Sequence, residues 1–444
     1  MQFSLAFIAE IESAIQNHQF EIIQNKISQI NDADIAKLLS NLSLNEQLTL
    51  IEYLPNAAYI FEFLSIEQQL QIAEHLNTPL LVKILSEMHS DDRTDLFKQL
   101  NYKLQQQVSQ YLSPEIQQDI LQLAKYPEES AGAIMSSDYV ALPPNLNMVE
   151  AIEQIRTQAK DRETLYLIYV IDQDKKLLGV VSLRQIILAE PQQKIVEIMS
   201  RDLIVGYSDE DQESIAEKLS YYDFIALPIV DENNQLLGIV TYDDAMDIAK
   251  EEATEDFLKS SAMSSGHVSI KSAPILYLYQ KRVFWLVILV FGSLLSGFGI
   301  AHFEDIISAN IVLVFFLPLL VGSGGNAGSQ SATLMVRALA IGDVELKDWL
   351  YLIGRESLVG LCLGGTMALA VSVLGYFRGD AMVALVLAIS MMGIVLLGCL
   401  IGMSLPFILN RLKLDPASAS APLVTSICDA TGVIVYLCIA SLLL

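Results

Sequence analysis

Asp429 is the one charged side chain between Pro416 and Leu444. An ionised carboxylate in hydrocarbon is expensive, so by default it faces a polar cavity or pathway. Its neighbours, Cys428-Asp429-Ala430-Thr431-Gly432, are small or hydroxylated, and the glycine allows close helix approach. A carboxylate protonated or hydrogen-bonded inside a helix bundle is the bland alternative. A second segment offers oxygen ligands: Pro318-Leu319-Leu320-Val321-Gly322-Ser323-Gly324-Gly325-Asn326-Ala327-Gly328-Ser329-Gln330. A proline and four glycines predict a kinked or unwound helix, which is tolerated at membrane depth only where it is buried in protein or lines water. Unwound carbonyls together with Asn326 and Gln330 would then ligate a cation; tight glycine packing between helices is the competing reading. Asp415, directly before Pro416, is a weaker candidate at the mouth of this pathway and a plausible cap of the last helix.

Five long apolar segments position these residues: Val283 to Ala301, Ile306 to Val336, Ser357 to Phe377, Ala381 to Asn410 and Pro416 to Leu444. Each is long enough to cross a bilayer, which takes about 20 residues. Lys281, Arg282, Arg337, Lys347, Arg355, Arg411 and Lys413 fall on one side of the spans, against Arg378 alone on the other. The positive-inside bias therefore places the N-terminal half in the cytoplasm and Leu444 outside. The four cysteines all lie in this apolar half, which fits a reducing compartment without a disulfide framework. The opening Met1 to Ile8, followed by Glu10 and Glu12, lacks a basic n-region and predicts no secretory signal.

Charge divides the chain. Residues 275–444 hold 8 of the 27 Lys+Arg and 9 of the 52 Asp+Glu, so nearly all of the net charge of −25 resides in residues 1–274. Such acidity argues against nucleic acid and for cations or basic partners. Residues 1–126 read as a stacked array of short helices. Ile35, Leu38, Leu39 and Leu42, then Leu81, Ile84, Leu85 and Met88, recur at helical spacing, and Pro55, Pro79 and Pro114 punctuate them. Ser90-Asp91-Asp92-Arg93-Thr94-Asp95 starts one helix, with Ser90 or Asp91 as its N-cap. Residues 127–248 repeat internally: Leu165 to Asp172 with Leu177 to Ser182 recurs as Phe224 to Asp231 with Leu236 to Thr241, each a hairpin flanked by amphipathic helices. Asp244, Asp247, Glu251 and Glu255 then follow at spacings of three, four and four, one face of a helix. Spacing alone favours a solvated face for this stripe.

In combination, Gly324-Gly325-Asn326-Ala327-Gly328-Ser329-Gln330, Asp415-Pro416 and Pro422 to Gly432 resemble the membrane domain of the MgtE family of Mg²⁺ channels. Tyr126 to Met135 is similar to that family's junction between its helical N domain and paired CBS domains, and Thr254-Glu255-Asp256 falls at its plug helix. The resemblance covers essentially the whole chain. It implies a multidomain integral membrane protein: an all-α helical-array N domain (1–126), α/β tandem CBS domains (127–196 and 197–248), a plug or connecting helix (249–274) and an all-α membrane domain with five transmembrane helices (275–444). It further implies a homodimer embedded in lipid, with pore residues Asp429, Asn326, Gln330 and Asp415. Cytosolic Mg²⁺ sensing is expected from Asp91, Asp92, Asp95, Asp211, Glu213, Asp223, Asp244, Asp247, Glu251, Glu252, Glu255 and Asp256. ATP at the CBS domains, and Mn²⁺, Co²⁺ or Ni²⁺ as further ions, are lesser implications. Cys428 beside Asp429 is a departure that would suit softer metals, although a neutral thiol acts mainly as a small hydrophobe. No P-loop lysine, paired-histidine metalloenzyme motif or nucleophile elbow is present, so no enzyme is expected. A proton- or cation-coupled divalent-metal transporter and a membrane-tethered CBS nucleotide sensor without transport are the rival functions.

Overall fold

The computed structural model describes residues 3–159, 162–261, 274–340 and 342–444. The chain forms two compact units, residues 1–250 and 251–444.

In the first unit, ten short helices run from Leu5–Gln16 to Pro114–Leu123. Asn31, Asn77, Asn101 and Ser113 each accept a backbone N–H at a helix start, and Pro79 and Pro114 sit in first turns, where a missing N–H costs nothing. Ile35, Leu38, Leu39, Leu81, Ile84, Leu85 and Met88 are buried in one core. A repeated glutamine fastens successive helices. Gln47 donates to the carbonyls of Leu39 and Leu42, and Gln69 to those of Phe61 and Leu64. Each buried amide thereby bonds one carbonyl in the last turn of the preceding helix and one in the turn that follows it.

The Ser90–Gln99 helix departs from expectation at its start: its N-cap is His89, and neither Ser90 nor Asp91 has that role. Ser90 is helical and buried, its Oγ 3.1 Å from Ser136 Oγ and accepting from the Ser137 N–H at 2.7 Å. The carboxylate of Asp138 caps from a distance, accepting the Ser90 N–H at 3.0 Å. Once a remote carboxylate serves the first N–H, local capping is unnecessary and Asp91 and Asp92 are released to point elsewhere.

The repeat folds as two three-stranded sheets. β1 (Ala141–Leu142) pairs parallel with β2 (Leu167–Ile171), which pairs antiparallel with β3 (Leu177–Ser182); β4 (Gly206–Tyr207), β5 (Ala226–Val230) and β6 (Leu236–Thr241) repeat the order. The hairpin turns also repeat. Asp172 Oδ1 accepts from the N–H groups of Asp174 and Lys176, and Asp231 Oδ1 from those of Asn233 and Gln235, while Lys175 and Asn234 take positive φ. The two turns exchange hydrogen bonds, Leu177 N–H to Asn234 C=O and Leu236 N–H to Lys175 C=O, which joins the halves. The helix after β6, Tyr242–Ser260, carries the acidic stripe. Residues 262–273, the end of the expected connecting segment, lie outside the described residues.

The second unit contains five helices long and apolar enough to cross a membrane: Ile275–His302, Val312–Ala340, Leu346–Arg378, Ala381–Arg411 and Ala421–Leu443. We refer to them as the first to fifth spans. The second span corrects the expectation of an unwound segment. It is one continuous helix through Pro318 and all four glycines, preceded by a separate short helix, Glu304–Ala309. Gly324, Gly325 and Gly328 serve packing instead, whereas a Cβ on Gly322 would meet nothing. A Cβ on Gly398 would strike the Gly324 carbonyl oxygen, and one on Gly402 would strike that of Gly328. The four-residue spacing of both pairs lets the second and fourth spans lie backbone to backbone, the small-xxx-small arrangement by which membrane helices gain van der Waals contact. Gly402→Ala is therefore expected to destabilise the bundle by about 1–3 kcal/mol, the usual scale of overpacking. Thermal unfolding in detergent checks this, with Gly297→Ala, where a Cβ would meet nothing, as the neutral comparison.

Candidate cation pathway and sensing carboxylates

Asp429 lies on the fifth span against Gly325 of the second: a Cβ at Gly325 would come 3.4 Å from Asp429 Oδ1 and 2.9 Å from Thr425 Cγ2. Absence of a side chain at 325 thus leaves room for Thr425, one turn before Asp429, to pack against the second span, while a Cβ there would only touch the carboxylate. Among the described residues, Asp429 takes part in no hydrogen bond or ion pair. Beside it, the hydroxyls of Ser329 and Thr425 lie 3.1 Å apart and Ser329 Oγ donates to the Ala421 carbonyl. Asn326 and Gln330, four residues apart on one face of the second span, are exposed within the single chain, as is Thr333. Together they form a strip of polar side chains along a membrane helix beside a carboxylate. Because the helix is continuous, its carbonyls are engaged within it, and the oxygen available comes from the side chains of Asn326, Gln330, Ser329, Thr425 and Asp429. Cys428 points away, buried near Gly328, as a small hydrophobe. Asp415 accepts the Ala417 N–H at 2.8 Å, capping a short turn over Pro416–Ser418; the fifth span has its own cap at Ser420.

In the first unit, the carboxylates of Glu163, Asp243 and Asp244 offer oxygens within 4.8 Å of one another. Asp91 Oδ1 and Glu163 Oε2 are buried atoms with no hydrogen-bond partner. Burial, followed by the charges of Asp244, Asp92 and Glu163, pushes Asp91 well above the ordinary carboxylate range. Asp92 is raised by burial and then by Glu62 and Asp244, Glu163 by burial and Asp244, and Asp244 by burial against an opposing hydrogen bond from Thr241. Orphaned buried oxygens among mutually repelling carboxylates are the donor set a hard divalent cation takes. A hard divalent cation therefore fits these residues.

The sequence missed Glu163 and Asp243, as well as Glu62 and His89, which hydrogen-bond to each other and cluster with Asp92. Asp243 had a local signal, the paired acids at 243–244 that mirror 91–92. Glu163 had none, since only the fold carries it to Asp244. Of the remaining expected sensors, Asp95, Asp211, Glu213 and Asp223 are exposed and outside this cluster, with Asp211 capping the Gln212–Tyr221 helix and Asp223 at positive φ. The stripe is divided: Asp244 turns inward, Asp247 and Glu251 face solvent, and Glu252, Glu255 and Asp256 are half-buried in the second unit. Lys259 pairs there with Glu255 and Asp415.

These raised carboxylates set a pH dependence. Each binds its proton more tightly folded than unfolded, so their packing is most stable below about pH 4, where both states hold the proton, and loses stability as pH rises through the folded values. In chelator, the melting transition of the first unit should move upward by several degrees on going from pH 8 to pH 5.5. Millimolar Mg²⁺ at pH 8 should recover most of that gain. A melting temperature indifferent to both would mean that the carboxylates are not packed together.

Comparison with known proteins agrees with this architecture. The model of the MgtE divalent cation transporter matches residues 317–439, that of the MgtE intracellular N domain residues 30–129, and the CBS domain residues 131–191 and 195–251. The magnesium transporter MgtE of Thermus thermophilus is 36% identical over 439 residues, 98% of each chain. The chain belongs to the MgtE family. The Bacillus subtilis magnesium transporter MgtE is 35% identical over 72% of this chain and 70% of its own. A crystal structure of the cytosolic domain of the Mg²⁺ channel MgtE in complex with ATP matches 54% of this chain and 99% of its own, at 32% identity and TM-score 0.52. MgtE proteins are multi-pass membrane transporters, not enzymes.

Proposed function

We propose that this protein is a homodimeric Mg²⁺ channel, oriented with its acidic half in the cytoplasm and closed by cytosolic Mg²⁺. The observation that carries the reading is Asp429, a carboxylate without a partner among the described residues, beside a strip of polar side chains on a membrane helix. Lipid cannot cover Asn326 and Gln330 without cost. A second copy facing the strip would enclose a polar pathway, and two Asp429 carboxylates would match the charge of one divalent ion. Mg²⁺ sheds water reluctantly, so amide and hydroxyl oxygens around those carboxylates suit a mostly hydrated ion held loosely enough to leave.

Gating rests on the carboxylates of the first unit. Asp91, Glu163 and Asp244 repel one another when ionised, which favours separation of the segments that carry them. Bound Mg²⁺ supplies the positive charge that offsets this repulsion. The shift between states is limited by the difference in affinity for the ion. The likeness to the ATP complex supports a nucleotide at the CBS pair. ATP should then change the Mg²⁺ concentration that halves flux; an unchanged value would count against it.

Asn326→Ala tests the pathway. It removes an oxygen ligand without adding bulk and should alter preference among Mg²⁺, Mn²⁺, Co²⁺ and Ni²⁺ while leaving melting near wild type. If the strip were only an interface between copies, melting of the dimer would fall and ion preference would stay unchanged.

A further inference from the structure

The helix Tyr242–Ser260 ends in a contact that its own spacing does not require. Lys259 Nζ lies 2.7 Å from Glu255, one turn back, and 2.6 Å from Asp415, in the loop between the fourth and fifth spans. An exposed i, i+4 pair with Glu255 would suffice to place the side chain. The bond to Asp415 is long-range and lands on a carboxylate already oriented by the Ala417 N–H. Asp256 and Glu252 share the neighbourhood, and Asp256 is pushed above its ordinary value by burial and then by Asp415. Burial pulls the Lys259 ammonium down, but hydrogen bonds to Asp415 and Glu255 more than reverse that. Four carboxylates thus gather around one ammonium, on a helix face and on the loop that leads into the span bearing Asp429.

We propose that Lys259 is a built-in counter-ion of the gate. Its ammonium holds the helix to the loop at Asp415 when cytosolic Mg²⁺ is scarce, and Mg²⁺ must compete with it for Glu255 and Asp415. This rests on the gating reading above. A cation tethered by its own side chain is present at any ion concentration, so it sets a floor of closure that free Mg²⁺ adds to. It also blunts the response, since part of the carboxylate charge is already compensated.

Lys259→Met removes the charge and keeps the apolar stem; Lys259→Arg keeps a charge. The full-length protein in proteoliposomes is measured for Mg²⁺ flux against Mg²⁺ on the side of the soluble half, and in detergent for Mg²⁺ bound per chain at equilibrium. Lys259→Met should raise flux at low Mg²⁺ by about two- to five-fold, the scale of a part-exposed ion pair. It should also widen the range over which Mg²⁺ inhibits and increase the Mg²⁺ bound per chain, whereas Lys259→Arg should bind as wild type does. If Lys259→Met matched wild type in both flux response and binding, the proposal would be overturned. A wild-type flux that ignores Mg²⁺ would instead contradict the gating reading, with the binding measurement still deciding whether Lys259 competes for the site.

Discussion

Asp429→Asn is expected to reduce Mg²⁺ flux to background while the protein remains folded. The substitution preserves shape and removes the charge that compensates a divalent ion, so permeation loses its principal attraction while the packing against Gly325 is retained. A divalent ion gains about 4.6 kcal/mol per 100 mV in crossing, twice the single-charge value, so the driving force is ample and the barrier is desolvation. Gly325→Ala should weaken flux for a different reason, by pushing the fifth span at Thr425 and displacing the carboxylate. Wild-type flux through Asp429→Asn in liposomes, with melting unchanged, would remove Asp429 from the pathway.

Deleting residues 1–270 is the second large effect. The carboxylates of the first unit and the helix bearing Lys259 are removed, whereas the polar strip and Asp429 belong entirely to the spans. Flux should persist and lose its inhibition by Mg²⁺. A truncated protein that folds, conducts and is still inhibited by Mg²⁺ would place the sensor within the membrane domain. Loss of all flux from a folded, correctly assembled truncation would make the soluble half part of the conduction machinery.

Asp429 stands out as a candidate because a lone charge in an apolar run has few innocent explanations, and the five spans were legible because length and hydropathy are local properties. The CBS hairpins were legible as a repeat, whereas β1 and β4, two residues each, carry no pattern of their own. Local sequence leaves the glycine segment open between a kinked or unwound helix and tight packing, and the structure shows no unwinding, for a physical reason. Glycines weaken a helix and also let helices touch, and the choice depends on Gly398 and Gly402, some 70 residues away, whose backbones lie against the continuous second span. The same limit hid Asp138 as the cap of the Ser90–Gln99 helix, Glu163 as a companion of Asp244, and Asp415 as the partner of Lys259. Each is a long-range pairing of residues unremarkable in their local context. The acidic stripe was read correctly as one helix face up to a point: the fold turns Asp244 inward and leaves Asp247 and Glu251 in solvent.

The most direct test of the account is Mg²⁺ entry into proteoliposomes containing the full-length protein, with Mg²⁺ on the side of the soluble half varied at constant ionic strength. Entry should follow the Mg²⁺ electrochemical gradient, persist without a proton gradient, and fall as Mg²⁺ rises on that side, with NaCl of equal ionic strength failing to substitute. Entry that tracked the pH gradient, or no entry at all beside tight nucleotide binding, would contradict it.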